Sequence, residues 1–419
     1  MDTMEFINSF SKSGESVTDL SRISGLLNAL GNPQKALKFV HIAGTNGKGS
    51  TLELCSQAVI YSGYRVGQFT SPYIKCYEDR IRINGINIST QTLDRLCETV
   101  KNVVKSKAYS QFEITLAIAF LYYLEESCDI VFLETGIGGL LDATNIIEKP
   151  LVAVITSISH DHVDILGDTL QEIAKHKAGI IKPDCPTVVS VDNDKEALDL
   201  IVQVSNKKNS QLVMVNSKDI SALNCGYSGS MFEYKTDKYN LKMLGKHQIY
   251  NACTAIETLN LLKKHDFKIS DEAIKMAFEN VQVGARLEVF DKNPLVILDG
   301  GHNEGGILAL TDMLKTLNKR PVIAVVGMIT SKNYIDTAKL LANDIDVAVC
   351  VDGFIENSVD SQQLAEYFPK HEKYSMEYRE GFTFAKDLAI KRGGMVLVCG
   401  SLYLSSAIIN IREDKDSRE

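Results

Sequence analysis

The chain has 419 residues, 45% of them hydrophobic, and its 45 Lys and Arg against 53 Asp and Glu give a net charge of −8. This length exceeds what one hydrophobic core usually fills, so two domains are expected. The acidic balance excludes a general attraction to nucleic acid or to an anionic membrane surface, and no segment of the sequence has the apolar length that spans a bilayer.

The cellular compartment is predicted from the first residues and from the cysteines. The start "MDTMEFINSF" has no basic region followed by an apolar stretch. Nine cysteines are scattered without a C-x-x-C pair, and several fall inside apolar runs, as buried reduced thiols do. We therefore expect a cytoplasmic protein, and we expect a monomer.

Short apolar runs alternate with helical patterns along the first part of the chain. The runs read "FVHIAG", "CDIVFLETG", "LVAVITSIS", "TVVSV" and "QLVMV". Continuous apolar strands of this kind are typical of a parallel sheet covered on both faces. We predict an α/β fold whose first domain is a doubly wound, mostly parallel sheet carrying a P-loop.

A second series of strands follows the segment "QVGARLEVFDKN". It reads "PLVILDGGHN", "PVIAVVGM", "DVAVCVDG" and "GMVLVCGSLYL", with helical stretches between the strands. This series predicts a smaller, Rossmann-like α/β domain. We place the N-terminal ATP-binding domain at residues 1–288 and the C-terminal domain at residues 289–419.

The stretch "HIAGTNGKGSTLE" sets glycines and a lysine between a buried strand and a helix. The candidate nucleotide-binding residues are Gly44, Thr45, Asn46, Gly47, Lys48, Gly49 and Ser50. The spacing differs from the common P-loop, because Gly49 separates Lys48 from Ser50. Backbone N–H groups, the helix N-terminus and the lysine charge all favour phosphate. The alternative is a glycine-rich turn with a solvated lysine.

The spelling "AGTNGKGS" resembles the ATP loop of the Mur ligase superfamily, in its folylpolyglutamate synthase/dihydrofolate synthase branch. Further motifs resemble that branch in the same order, over nearly the whole chain: "TSPYIKCYEDRIRINGINIS", "LETGIGGLLDATN", "SHDHVDILGDTLQEIAKHKAGIIKP", "MLGKHQIYNA", "LDGGHN" and "GSLYL". The resemblance implies an ATP- and Mg²⁺-dependent ligase that adds L-glutamate to the γ-carboxylate of a folate through an acyl phosphate. It leaves open a second activity, that of dihydrofolate synthase, which joins L-glutamate to dihydropteroate.

The resemblance also implies two metal positions. Ser71 and Glu134 match the first position, and His162 matches the ligand of the second. Lys177 matches a lysine that is carbamylated in the family, which requires a neutral amine. The alternatives are an ordinary strand-end carboxylate for Glu134, a structural loop histidine for His162 and a solvated helix lysine for Lys177.

The remaining implied roles concern ATP and the two acids that are joined. Asn251 is expected at the adenine and Arg286 at the ATP phosphates, while Asp299 and His302 are expected at the ATP and glutamate side. With Lys48 and Lys177, Asp299 and His302 are the residues expected to carry the reaction.

Three further positions bear on the folate substrate. Asp142 is expected to support dihydropteroate, whereas Leu140 stands where the family has an arginine. The run "RIRINGINIS" predicts a hairpin around Asn84-Gly85. Its Arg80 and Arg82 are candidate contacts for an acidic substrate tail, with solvated hairpin arginines as the alternative.

Two other functions remain open at this stage. One is another amino-acid ligase of the Mur superfamily, such as a peptidoglycan-precursor enzyme. Those enzymes have a domain ahead of the nucleotide loop, and few residues precede Gly44 in this sequence. The other is a nucleotide-binding regulatory module without ligase chemistry, for which "LDGGHN" and Arg286 would have no role.

Overall fold

The computed structural model describes residues 2–11, 19–104, 108–191, 193–330 and 333–416. The chain divides into two compact units. The first comprises Met1–Asp219 and Tyr250–Glu279, and the second comprises Ile220–Ile249 and Asn280–Glu419. The division of the chain into two domains at residue 288 stays a prediction. The compact units differ from it because residues 220–249 group with the later part of the chain.

The first unit contains an eight-stranded sheet. Its strands are β1 (Phe39–Ala43), β2 (Val66–Phe69), β3 (Ile81–Ile83), β4 (Ile86–Asn87), β5 (Ile130–Glu134), β6 (Val152–Ile155), β7 (Thr187–Val189) and β8 (Leu212–Met214). Their order is β4-β3-β2-β5-β1-β6-β7-β8. Its antiparallel pairs are β2 with β3 and β3 with β4, at one edge, and the other pairs are parallel. The predicted α/β fold with a mostly parallel sheet is confirmed.

In the described part of the chain, ten α-helices accompany this sheet. They are α1 (Thr3–Asn8), α2 (Ser21–Ala29), α3 (Lys48–Tyr61), α4 (Thr90–Val103), α5 (Gln111–Glu125), α6 (Val163–Leu166), α7 (Leu170–Ala178), α8 (Lys195–Lys207), α9 (Lys246–Lys263) and α10 (Asp271–Asn280). One apolar cluster joins α5 to β5, and another joins α7 and α8 to β6. The central strand β1 is buried along its whole length.

The second unit contains two sheets. The strands are β9 (Ile220–Gly226), β10 (Gly229–Tyr234), β11 (Asp237–Leu241), β12 (Glu288–Lys292), β13 (Leu295–Leu298), β14 (Val322–Val326), β15 (Val347–Asp352), β16 (Glu372–Glu377) and β17 (Met395–Cys399). The first three form an antiparallel sheet, and the other six have the order β12-β13-β17-β14-β15-β16. All pairs in the larger sheet are parallel except β12 with β13.

Five further α-helices of the second unit lie in the residues that the structure describes: α11 (Glu304–Leu317), α12 (Tyr334–Leu341), α13 (Ser361–Ala365), α14 (Tyr378–Arg392) and α15 (Leu402–Asp416). The four predicted strands correspond to β13, β14, β15 and β17. Among the described residues, no helix combines the length and apolar character needed to cross a membrane. The cysteines are free. Cys76 is exposed and Cys225 is half-exposed, and the others are buried, as the sequence predicts.

Candidate functional site

The predicted nucleotide loop lies at the carboxyl end of the central strand of the first sheet. Strand β1 pairs with β5 and β6, so that Ile42 lies beside Glu134 and Ala43 lies beside Ile155. Side chains that follow these three strands therefore converge on one edge of the sheet, where ligands bind in open α/β folds.

Two positions in the loop require glycine. A Cβ at Gly44 would lie 1.7 Å from Oγ1 of Thr156, and a Cβ at Gly47 would lie 2.3 Å from Oδ1 of Asn251. Gly47 also has a φ of 86°, a left-handed conformation that side chains disfavour. The loop is therefore packed closely between the end of β6 and helix α9.

One main-chain and one side-chain hydrogen bond hold the loop against the segment that follows β6. The N–H of Thr45 donates to the carbonyl of Ser157 at 2.7 Å, and the hydroxyl of Thr156 donates to the carbonyl of Asn46 at 2.7 Å. The first helical bond of α3 runs from Thr51 N–H to the Gly47 carbonyl. The preceding N–H groups at the helix start are the ones that bind anions in such loops.

Two lysines hydrogen-bond to the same carbonyl in this loop. Nζ of Lys48 lies 3.2 Å from the Gly44 oxygen, and Nζ of Lys177 lies 2.8 Å from it. Lys48 also lies 3.9 Å from Oε1 of Glu134. The structure thus brings together three residues that the sequence analysis selected from widely separated motifs.

Lys177 is 3% exposed, near the end of α7. That helix begins with a capping box, in which Thr169 and Glu172 hydrogen-bond each other's main chain. Burial lowers the pKa of Lys177 to about 7, and the charge of Lys48 acts in the same direction. A solvated helix lysine would show neither property, so this alternative is wrong.

Ser71 and Glu134 meet at the ends of neighbouring strands. Glu134 ends β5 and is 5% exposed, and its Oε2 accepts a hydrogen bond from the Ser71 N–H at 3.1 Å. A hydroxyl and a carboxylate are hard oxygen ligands, which suit Mg²⁺. Because Oε1 of Glu134 also lies near Lys48, both a carboxylate and an ammonium would lie beside a metal–phosphate bound at this place.

His162 follows β6 in a left-handed conformation with a φ of 51° and begins α6. Its N–H donates to Oδ1 of Asp161 at 2.9 Å, and the nearby Ser159 hydrogen-bonds to Thr45 of the nucleotide loop. Within the described ranges, no three His, Cys, Asp or Glu side chains are grouped closely enough to hold a metal by themselves.

Asp142 is 7% exposed in the loop that follows β5. Its carboxylate accepts hydrogen bonds from the N–H groups of Ile137 and Thr144, at 2.8 and 3.0 Å. The same loop is attached to α7, because the Leu140 N–H donates to the carbonyl of His176 at 2.7 Å. The loop that carries Asp142 and the helix that carries Lys177 are therefore packed against each other.

Asn251 lies in α9, 6% exposed, with its amide beside Gly47. The structure places it against the nucleotide loop, and its expected role at the adenine stays a prediction. Arg80 and Arg82 contact the protein itself. Arg82 forms an ion pair with Glu53 of α3, and the Arg80 guanidinium lies 5.3 Å from the ring centre of Tyr73.

These contacts are the ones expected of structural arginines, so a role for Arg80 and Arg82 in binding a substrate tail stays a prediction. The hairpin that carries Arg82 is as predicted, with Asn84 and Gly85 at its turn. Arg80 precedes the strand, in a short 3₁₀ turn.

In the second unit, Asp299 follows β13 and is 6% exposed. Its carboxylate accepts from the N–H groups of Leu287 and Gly301, at 2.9 and 2.8 Å. Burial raises the pKa of Asp299, while the charge of Arg286 acts in the opposite direction. His302 lies on the same loop, with Nδ1 3.2 Å from the carbonyl oxygen of Gly300. These three predicted residues thus form one cluster.

Two polar residues beside the site were not predicted from the sequence. Thr156 directly follows β6 and packs on Gly44, and His41 is the one polar residue of β1. A polar residue within a buried strand is the signal that could have revealed His41. Its Nε2 lies 2.9 Å from Oγ1 of Thr144, two residues beyond Asp142.

This arrangement can bind a polyphosphate at the loop and support its charge with Lys48 and a metal on Ser71 and Glu134. Such chemistry relies on positioning and charge neutralisation rather than on a protein nucleophile.

Two family models and several known proteins match this chain. Residues 42–259 match the family model described as Mur ligase middle domain, and residues 285–402 match the one described as Mur ligase, glutamate ligase domain. Over 327 residues the chain is 38% identical to dihydrofolate synthase/folylpolyglutamate synthase of Bacillus subtilis, covering 73% of this chain and 74% of that protein. It is 30% identical to folylpolyglutamate synthase of Lacticaseibacillus casei, covering 97% of both chains.

A solved structure shares the architecture. Mycobacterium tuberculosis folylpolyglutamate synthase, crystallised with ADP and AMPPCP, superposes with a TM-score of 0.86 at 26% sequence identity, over 94% of this chain and 95% of that one.

Proposed function

The chain belongs to the Mur ligase family, and from this premise we propose that it is an ATP-dependent ligase that adds L-glutamate to the γ-carboxylate of folates. The resemblance predicted from the sequence is confirmed by the two family matches. The named relatives support folylpolyglutamate synthase activity, with dihydrofolate synthase activity as a second reaction of the same site. The observation that carries the proposal is the Gly44–Ser50 loop with Lys48 beside Glu134.

The reaction joins an acid to an amine, and a carboxylate oxygen is a poor leaving group. In the proposed sequence, an oxygen of the substrate carboxylate attacks the γ-phosphorus of ATP, and ADP leaves with the electron pair of the broken bond. The amine of L-glutamate then attacks the acyl carbon of the resulting acyl phosphate, and inorganic phosphate leaves. The glutamate ammonium loses two protons in forming the amide, of which one ends on the released phosphate and the other in solvent.

In this scheme the chain's own residues bind the substrates and neutralise the charge of the phosphates. The N–H groups at the start of α3 and the ammonium of Lys48 would hold the β- and γ-phosphates. The hydroxyl of Ser71 and the carboxylate of Glu134 would hold Mg²⁺, with His162 at a second metal, and these ions would neutralise charge on the transferred phosphate. Asp142 would support dihydropteroate.

Lys177 is proposed to be carbamylated. A neutral amine attacks CO₂, an N–C bond forms, one proton is released, and a carboxylate replaces the ammonium. The pKa near 7 supplies the neutral amine at ordinary pH. Incubation with ¹³C-labelled bicarbonate should give a carbamate signal in the ¹³C spectrum of the wild type. The signal should be absent from Lys177→Met, and its absence from the wild type would contradict the assignment.

In the second unit, Arg286 is proposed to contact ATP phosphate, and Asp299 and His302 are proposed to serve the ATP and glutamate side. A cytoplasmic location and a monomeric state stay predictions.

The test of the function is mass analysis of the products formed from tetrahydrofolate or dihydropteroate with ATP, Mg²⁺ and L-glutamate. Each product should gain the mass of glutamate residues, and phosphate release should require both the acid and glutamate. Phosphate release without either substrate would favour the nucleotide-binding regulatory module instead.

A further inference from the structure

His41 is a fully buried histidine on the central strand, beside the loop that follows β5 and carries Asp142 and Thr144, which we call the substrate loop. Its relative exposure is 0%, as is that of Thr144. The imidazole Nε2 lies 2.9 Å from Oγ1 of Thr144, and that oxygen lies 2.5 Å from Oδ1 of Asp142. Three polar side chains thus form a continuous chain in an otherwise apolar part of the sheet.

The direction of these hydrogen bonds follows from the carboxylate. Oδ2 of Asp142 accepts from the Ile137 N–H and Oδ1 accepts from the Thr144 N–H, so both oxygens act as acceptors. The Thr144 hydroxyl therefore donates its hydrogen to Oδ1. A hydroxyl has only one hydrogen, so it must accept from His41, whose Nε2 carries the proton.

The other ring nitrogen agrees with this assignment. Nδ1 of His41 is buried and has no hydrogen-bond partner among the described residues. When the proton is on Nε2, Nδ1 carries no hydrogen. The ring then has no buried N–H that lacks an acceptor. Burial lowers the pKa of His41 to about 3, and the charge of Lys182 acts in the same direction, so the ring is neutral. An apolar side chain in place of His41 would leave no buried nitrogen without a hydrogen-bond partner.

We propose that His41 and Thr144 are positioning residues for Asp142, in a relay where the His41 Nε2–H donates to Thr144 and the Thr144 hydroxyl donates to the carboxylate that receives dihydropteroate. This inference rests on the proposed function for the identity of the substrate. The relay also joins the substrate loop to β1, the strand that leads directly into the nucleotide loop at Gly44.

The test compares His41→Leu and Thr144→Val, which break the relay, with His41→Gln and Thr144→Ser, which keep a donor at each place. Breaking the relay should raise KM for dihydropteroate about tenfold, the effect of losing one hydrogen bond to a charged group. KM for ATP should change less than about twofold. The conservative pair should recover most of the loss.

Thr187→Val is the matched control, because it removes a buried hydroxyl that bonds Ser210 in the same sheet, away from the loop. It should lower the unfolding temperature without changing KM for dihydropteroate. Equal changes in both KM values, or no recovery in His41→Gln, would reduce His41 to a structural residue and overturn the inference.

A second measurement does not depend on turnover. In protein labelled with ¹⁵N-histidine, His41 should show a protonated Nε2 and an unprotonated Nδ1, and the Nε2 resonance should shift in Thr144→Val. A proton on Nδ1, or a doubly protonated ring at neutral pH, would overturn the relay. If the wild type shows this tautomer but neither binds nor converts dihydropteroate, the relay stands, whereas the proposed second activity and the substrate assigned to Asp142 fail.

Discussion

Lys48 opens helix α3 with its ammonium between the loop carbonyls and Glu134. Replacement by alanine removes the positive charge that faces the γ-phosphate. We expect Lys48→Ala to lower kcat/KM on the order of a hundredfold or more, measured by phosphate release with folate and glutamate present. Lys35→Ala, an exposed lysine of the same unit, should be unaffected. Near-normal turnover of Lys48→Ala would refute the assignment.

In protein freed of CO₂, so that Lys177 carries no carbamate, this lysine should make the stability of the fold depend on pH. Its pKa is lowered from 10.5 to about 7, so between these values the unfolded chain binds more protons than the folded chain. The free energy of unfolding should therefore rise with pH across this window and level off below about 7.

Lys177→Met lacks this titration and provides the reference. Urea unfolding of both proteins at several values between about pH 7 and about pH 9 should show the wild type gaining stability relative to the variant as pH rises. Parallel curves would mean that the amine is not held neutral by burial.

Asp142 separates the two proposed reactions. Asp142→Ala should impair the conversion of dihydropteroate more than the extension of tetrahydrofolate, since only the first substrate is expected to rely on this carboxylate. Steady-state assays with each substrate give the comparison. Equal losses would count against this division of roles.

At this scale, the sequence predicted residues that occur in contiguous motifs. Lys48, Glu134 and Lys177 were selected from separate motifs, and the fold brings the three side chains around one loop. His41 and the partner of Arg82 were not predicted. Their contacts join distant segments, and the period of a strand does not specify which distant side chain lies opposite.

At the scale of the elements, helix α3 has a glycine at each end, Gly47 in the nucleotide loop and Gly63 beyond the helix C-terminus. Gly47 and Gly63 both have left-handed φ values, but only at Gly47 would a Cβ meet another side chain. Both alanine variants should lose about 1 kcal/mol of stability from backbone strain.

Only Gly47→Ala should also raise KM for ATP, because the added methyl displaces Asn251 or the loop. Chemical unfolding and ATP titration of the two variants check this prediction. A similar rise in KM for Gly63→Ala would show that strain alone is responsible.

Most parallel strands were predictable because their apolar runs are continuous and buried. The antiparallel sheet of β9, β10 and β11 was not, since β9 is largely exposed and only alternate residues of β10 are buried. A half-exposed strand without a continuous apolar run resembles a polar loop in a single sequence.

At the scale of the whole molecule, residues 220–249 decide what the later part of the chain needs in order to fold. Leu244 and Leu287 belong to the apolar cluster of the larger sheet of the second unit, and both lie outside residues 289–419. A fragment of residues 289–419 lacks them and should expose apolar surface. Joining residues 220–249 to residues 280–419 by a flexible linker should restore a cooperative unfolding transition.

Calorimetry and dye binding of the two fragments provide the measurement. Equal stability would mean that residues 289–419 fold alone, as the sequence-based division at residue 288 expects.

The oxygen that Lys48 and Lys177 share belongs to the peptide backbone of Gly44, so no replacement of a side chain can delete it. Alanine scanning would record what each amine contributes and would miss the acceptor between them. Measuring that acceptor calls for chemical synthesis or semisynthesis, in which a thioamide between Gly44 and Thr45 weakens the acceptor while leaving every side chain in place.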